Sequence, residues 1–163
     1  DDLKKVRVEA EKSAIVTHTH DEAIVGAIAV AIATALAWEF KQKGIRPTRQ
    51  EFIESILPYL APSKVKKGAY LAMEINPATT TINAADMLGR GYQVSCADTV
   101  PFCLYCAGEF LDNYEEAMWQ TVSALGDRDT TCAIVGGIVV MFAGLESIPK
   151  LWLEKREPIP IWV

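Results

Sequence analysis

Clustered positive charge is missing from this chain of 163 residues, in which 16 Lys and Arg stand against 21 Asp and Glu for a net charge of -5. Nucleic-acid binding by charge alone is thereby excluded, since phosphate contacts need grouped Lys and Arg. No uncharged apolar run reads as a membrane span. The longest candidate, Ala23 to Phe40, is Ala-rich and runs at once into Lys41 and Lys43, a composition that suits a buried helix. The charged opening Asp1-Asp2-Leu3-Lys4-Lys5 leads into no apolar segment, so no signal peptide is expected. The first residue is not Met, which fits a chain that begins inside a longer protein. Cysteine is scarce: Cys96, Cys103, Cys106 and Cys132 sit in apolar helical patterns, and Cys103-x-x-Cys106 has no second Cys or His pair at zinc-ligand spacing. They read as reduced core thiols in a cytoplasmic protein.

What is abundant is hydrophobic material, half of all residues, with 23% charged. That is the composition of a globular chain, and the length suits one core, so residues 1–163 are expected to form a single domain. Strand alternation is nearly absent and helical periodicity dominates, which predicts an all-α fold of about six to eight helices. After a polar entry over residues 1–13, a long helix is expected from Asp21 to Lys43, capped by Thr19 or Asp21 and stopped by Gly44. Thr48 and Glu51 form a capping box for a helix reaching Tyr59. Further helices are expected from Ser63 to Glu74, Thr81 to Leu88, Asp98 to Leu111 with Pro101 in its first turn, and Asn113 to Ala124. Thr131 to Ala143 and Pro149 to Lys155 complete the set. Trp38, Trp119, Trp152 and Trp162 read as packing residues.

Three clusters carry possible chemistry. Gly126-Asp127-Arg128-Asp129-Thr130-Thr131 places two carboxylates and a hydroxyl at a helix start. These hard oxygens suit Mg²⁺, Mn²⁺ or Ca²⁺, while the plain alternative is that Asp and Thr are favoured helix caps. The small residues Ala133, Gly136, Gly137 and Ala143 predict a closely packed helix with its N-terminus deep in the fold. Thr17-His18-Thr19-His20-Asp21 holds both histidines, available as ligands, acid or base, or backbone hydrogen-bond partners. Gly89-Arg90-Gly91-Tyr92 pairs a loop able to approach phosphate oxygens with an aromatic able to stack on a planar ligand. Arg128, between the acids, suits pairing with them or with an anion.

In this order the clusters resemble the ADP-ribosylglycohydrolase family. Ser13 to His20 before the Ala-rich helix is similar to its T-H element. Gly89 to Tyr92 with Thr99-Val100-Pro101 resembles its glycine loop and following helix. Gly126 to Thr131, Gly136-Gly137, Gly144, Ile148-Pro149 and Trp152 resemble its C-terminal G-D-x-D-T element. The resemblance implies an all-α fold holding two Mg²⁺ (or Mn²⁺) ions and hydrolysis of the glycosidic bond between ADP-ribose and a modified protein side chain, or cleavage of related ADP-ribosyl compounds. It implies Asp127, Asp129 and Thr130 as metal ligands, and His18, Gly91 and Tyr92 beside ADP-ribose. The family's G-D-x-x-G and T-D-D elements do not occur here, and Leu125 stands where a second glycine is usual. The chain is therefore expected to be a C-terminal portion that needs an N-terminal part for catalysis, with self-association through the uncovered face as a further expectation. The alternative is a non-catalytic all-α domain that kept the fold and binds ADP-ribose or a protein partner.

Overall fold

The computed structural model describes residues 2–158; Asp1 and Trp162 lie outside the described residues. Nine α-helices and two short 3₁₀ segments, with no strand, make up the regular structure among them. The all-α expectation holds. Helices α1 (Asp2–Ile15), α2 (Asp21–Lys43) and α3 (Arg49–Ile56) are followed by α4 (Lys64–Glu74), α5 (Thr81–Leu88) and α6 (Cys96–Glu109). The remaining three are α7 (Tyr114–Ser123), α8 (Arg128–Ala143) and α9 (Lys150–Lys155).

The polar entry is a helix, which the mixed charges of α1 conceal. Leu3, Val6 and Ala10 recur at helical spacing and pack against the core, yet no α1 residue is fully buried. That helix forms because α2 offers it an apolar face to lie on. Helix α2 is capped by neither Thr19 nor Asp21: His20 takes the extended N-cap conformation, and its Nδ1 accepts the Glu22 N–H at 3.1 Å. By length and composition α2 is able to cross a membrane, but here Val25, Ile28, Ile32 and Leu36 are buried and the helix packs against α3, α6 and α8. Gly44 ends it in the left-handed conformation, as expected. The Thr48–Glu51 capping box is present in both directions.

Helix α6 is the centre. It touches α2, α3, α4, α5, α7 and α8, and every residue from Thr99 to Gly108 is buried. It begins two residues earlier than the pattern suggests, at Cys96, so Pro101 lies inside it rather than in its first turn. The lost N–H is tolerated because the ring fills a tight crossing, where a Cβ on Gly68 of α4 would come within 2.4 Å of Pro101 Cγ. The four thiols are free, with Cys103 and Cys106 buried in α6 and Cys96 and Cys132 half-buried. Burial pushes the Cys106 thiol up to about 12, as expected of a core residue rather than a reactive one.

Two polar groups tie helices together that periodicity does not connect. The Glu22 carboxylate of α2 accepts from the Lys64 N–H at 2.7 Å and the Val65 N–H at 3.0 Å, holding the start of α4. Buried Arg49 pairs with Glu109 at 2.9 Å, donates to the Ile75 carbonyl, and lies 4.6 Å from the Tyr105 ring centre. Replacing Arg49 with Met is expected to cost about 2 kcal/mol, because the half-buried Glu109 loses its partner and the α4 C-terminus a donor. Urea unfolding reads this, and a loss below about 0.5 kcal/mol would show that the chain does not depend on the bridge.

Candidate functional site

The three sequence clusters resolve into one compact junction and one separate groove. At the junction the Gly89–Ser95 loop lies directly against the start of α8. The Asp127 N–H donates to the Arg90 carbonyl at 2.9 Å, and a Cβ on Gly91 would stand 2.5 Å from Asp127 Cβ. Only glycine admits that approach, and Gly91 also needs its φ of +88°. Gly91 and Asp127, distant in sequence, are thus in contact.

Helix α8 opens at Arg128 with Asp127 as N-cap, earlier than the Thr131 expected. The expectation of a deeply buried N-terminus is corrected: Asp127 is half-buried, and Asp129 and Thr130 are exposed. The small residues act farther along the helix, where Gly136 faces the Tyr114 hydroxyl and Met118, while Gly137 faces open space. The capping alternative also fails for Asp127 in its usual form. His20, Thr48, Ser63, Thr80 and Asn113 each cap their helices through the side chain, whereas Asp127 makes no such bond. The side chains of Asp129 and Thr130 still hold its carboxyl below the usual carboxylate range, helped by a Thr130 N–H that falls short of capping geometry.

This leaves a charged carboxylate that meets the first turn of α8 through Asp129 and Thr130 but makes no N-cap bond. Together with Asp129 and the Thr130 hydroxyl it offers hard donors suited to Mg²⁺ or Mn²⁺. Among the described residues no three His, Cys, Asp or Glu side chains gather into a metal-holding group. Water, a ligand or residues from elsewhere would have to complete the coordination. Arg128 is exposed at the same helix start.

Tyr92 projects from the loop with 69% of its surface exposed, free to receive a planar ring. His18 is elsewhere. Exposed, its Nδ1 lies 2.8 Å from Thr17 Oγ1, and it lines an apolar groove of about 570 Å³ with Ala14, Gly26, Cys96 and Ile134. Asp127, Asp129, Gly91 and Tyr92 do not line that groove. The loop and the groove adjoin at the start of α6, where Ser95 ends the one and Cys96 walls the other.

Sequence reasoning missed Arg90 as a bracket. It pairs with Asp86 of α5 and donates from Nη1 to the Ala124 carbonyl at 2.9 Å, binding α5, the loop and the end of α7 together. It also gave no role to Asp98, whose backbone carbonyl and carboxylate receive two loop N–H groups. Leu125, by contrast, keeps the left-handed backbone that a glycine would hold there, with φ at +63°. Leu125→Gly is expected to raise stability by about 0.5–1 kcal/mol by relieving that strain, against the entropy a glycine adds to the unfolded chain. A lower melting temperature in this variant would show that Leu125 carries a contact worth more than its strain.

The sequence pattern that defines ADP-ribosylglycohydrolase matches residues 1–161. The chain belongs to the ADP-ribosylglycohydrolase family. Among its relatives, an uncharacterized protein of Archaeoglobus fulgidus is 35% identical over 157 residues, covering 93% of this chain and 47% of the relative. The ADP-ribosylhydrolase ARH3 of Mus musculus is 23% identical over 183 residues, covering 95% of this chain and 48% of the relative. The chain therefore spans about half the length of these relatives. No solved structure matches it.

Proposed function

We propose that this chain carries the C-terminal metal and ligand elements of a Mg²⁺-dependent ADP-ribosyl hydrolase, which cleaves the glycosidic bond between ADP-ribose and a modified protein side chain or a related ADP-ribosyl compound. The observation that carries the reading is the uncapping carboxylate of Asp127 set against Gly91 of the glycine loop. On this reading Asp127, Asp129 and Thr130 hold metal, Gly91 lets the loop reach it, and Tyr92 stacks on the ligand. His18 borders the ligand from the groove side. Metal held by these residues would supply the chemistry of orienting water and the ribose hydroxyls at the anomeric carbon. Two acids and one hydroxyl cannot complete such a centre, so catalysis requires an N-terminal part that supplies the other donors.

A second reading, an ADP-ribose-binding or protein-interaction domain without catalysis, is favoured by Arg128. A guanidinium between the two acids in sequence opposes a dication and suits an anionic ligand instead. Calorimetric titration of ADP-ribose in Mg²⁺ and then in EDTA separates the two. Binding that needs metal supports the hydrolase reading, and binding indifferent to EDTA supports the second. No binding in either condition, by this chain or by one extended to the length of its relatives, sinks both.

A further inference from the structure

The loop that carries Gly91 and Tyr92 is shaped by a residue outside it. Asp98, in the first turn of α6, accepts the Gly91 N–H on its backbone carbonyl at 2.9 Å and the Gln93 N–H on Oδ2 at 2.7 Å. The Gly89 backbone passes so close that a Cβ there would meet both the Asp98 carbonyl oxygen and Oδ1 at 2.4 Å. Val94 sits at a φ of +50°, a conformation that an unanchored non-glycine loop residue avoids. Ser95, the N-cap of α6, makes no side-chain cap bond, so the half-buried Asp98 supplies the negative charge at that helix start. The same loop reaches α8 through the Arg90 carbonyl, which receives the Asp127 N–H, and through Gly91 against Asp127 Cβ. One side chain is therefore linked by hydrogen bonds and packing to both halves of the junction.

We propose that Asp98 is a positioning residue of this site: it sets the Gly89–Ser95 loop that presents Tyr92 to ADP-ribose and, through Arg90 and Gly91, the seat of Asp127. The ligand named here rests on the function proposed above; the loop-setting role does not. Both are tested on the full chain with wild type, D98A and D98N. Amide hydrogen exchange is followed at Gly91, Gln93 and Asp127, and ADP-ribose is titrated in the presence of Mg²⁺.

In D98A the Gln93 amide, which loses its acceptor, is expected to exchange about tenfold faster, with Gly91 and Asp127 following it. ADP-ribose affinity is expected to fall about tenfold. D98N keeps an acceptor oxygen and is expected to restore exchange and affinity to within about threefold of wild type. That rescue separates positioning from a general loss of fold, which asparagine would not repair selectively at the loop. Unchanged exchange in D98A overturns the proposal, as does faster exchange at Gln93 that leaves both Asp127 and ADP-ribose affinity untouched. If wild type binds no ADP-ribose, either as this chain or extended to the length of its relatives, the functional reading fails, and the exchange pattern alone decides whether Asp98 sets the loop. Should D98A not fold, D98S removes the same acceptor reach and takes its place.

Discussion

Replacing Asp127 with asparagine is expected to weaken Mg²⁺ binding by about a hundredfold or more while shifting folding stability by less than about 0.5 kcal/mol. The substitution keeps size and shape and removes only charge and one strong acceptor. Stability stays nearly level because asparagine keeps Oδ1 as an acceptor toward Thr130, no N-cap bond of α8 is lost, and the backbone N–H that anchors the residue to Arg90 is kept. Affinity falls because the carboxyl, held below the usual range, is ionised at neutral pH and is the half-buried one of the two acids. Thr48→Ala is the matched control. Thr48 closes a capping box, so its loss is expected to cost about 1 kcal/mol and leave metal binding alone. Titration of Mg²⁺ beside thermal melts in EDTA reads both quantities. Unchanged metal affinity in Asp127→Asn, with a stability loss like that of Thr48→Ala, would return Asp127 to the role of a helix cap.

That contrast marks where local sequence signals reach and where they stop. Thr48 with Glu51, Gly44 after α2, and the Thr81–Leu88 helix are decided by neighbours in the chain, and each is where the pattern puts it. Helix α1 depends on a partner, since Leu3, Val6 and Ala10 make a stripe too thin to stand out among charges until α2 lies beneath it. The depth of the α8 start was misjudged for a related reason. Small residues report close packing at their own positions, here Gly136 against Tyr114, and say nothing of a helix end two turns away. The acids and the glycine loop were legible one by one. Their contact was not, because it is made by two backbones of unusual conformation, with Gly91 at a φ of +88° and Gly126 at +76°. Asp98 and Arg90 were invisible as site residues, since what they hold is backbone: Arg90 the Ala124 carbonyl, remote in sequence, and Asp98 the N–H groups of the loop before it.

Gly126 is accordingly the position where one methyl group is expected to cost most, about 3 kcal/mol for Gly126→Ala. Two terms add. An L-residue at positive φ costs about 1–2 kcal/mol, and the junction must also open because the new Cβ would stand 2.1 Å from the Arg90 carbonyl oxygen. That oxygen belongs to backbone, so no side-chain rotation relieves the clash, and it is the acceptor of the Asp127 N–H, whose bond is worth about 1 kcal/mol. For a chain of this length the loss corresponds to a melting temperature lower by about 6–12 °C. Gly137→Ala provides the opposite sign from the same chemical change. Gly137 lies within α8 with nothing near its missing Cβ, so alanine there is expected to add about 0.5–1 kcal/mol. If Gly126→Ala melted with wild type, the loop would not be clamped to the helix start, and the junction on which the proposed metal and ligand sites depend would be an accident of proximity. If it melted early and also lost ADP-ribose binding, while Gly137→Ala kept it, the two sequence elements would act as one site.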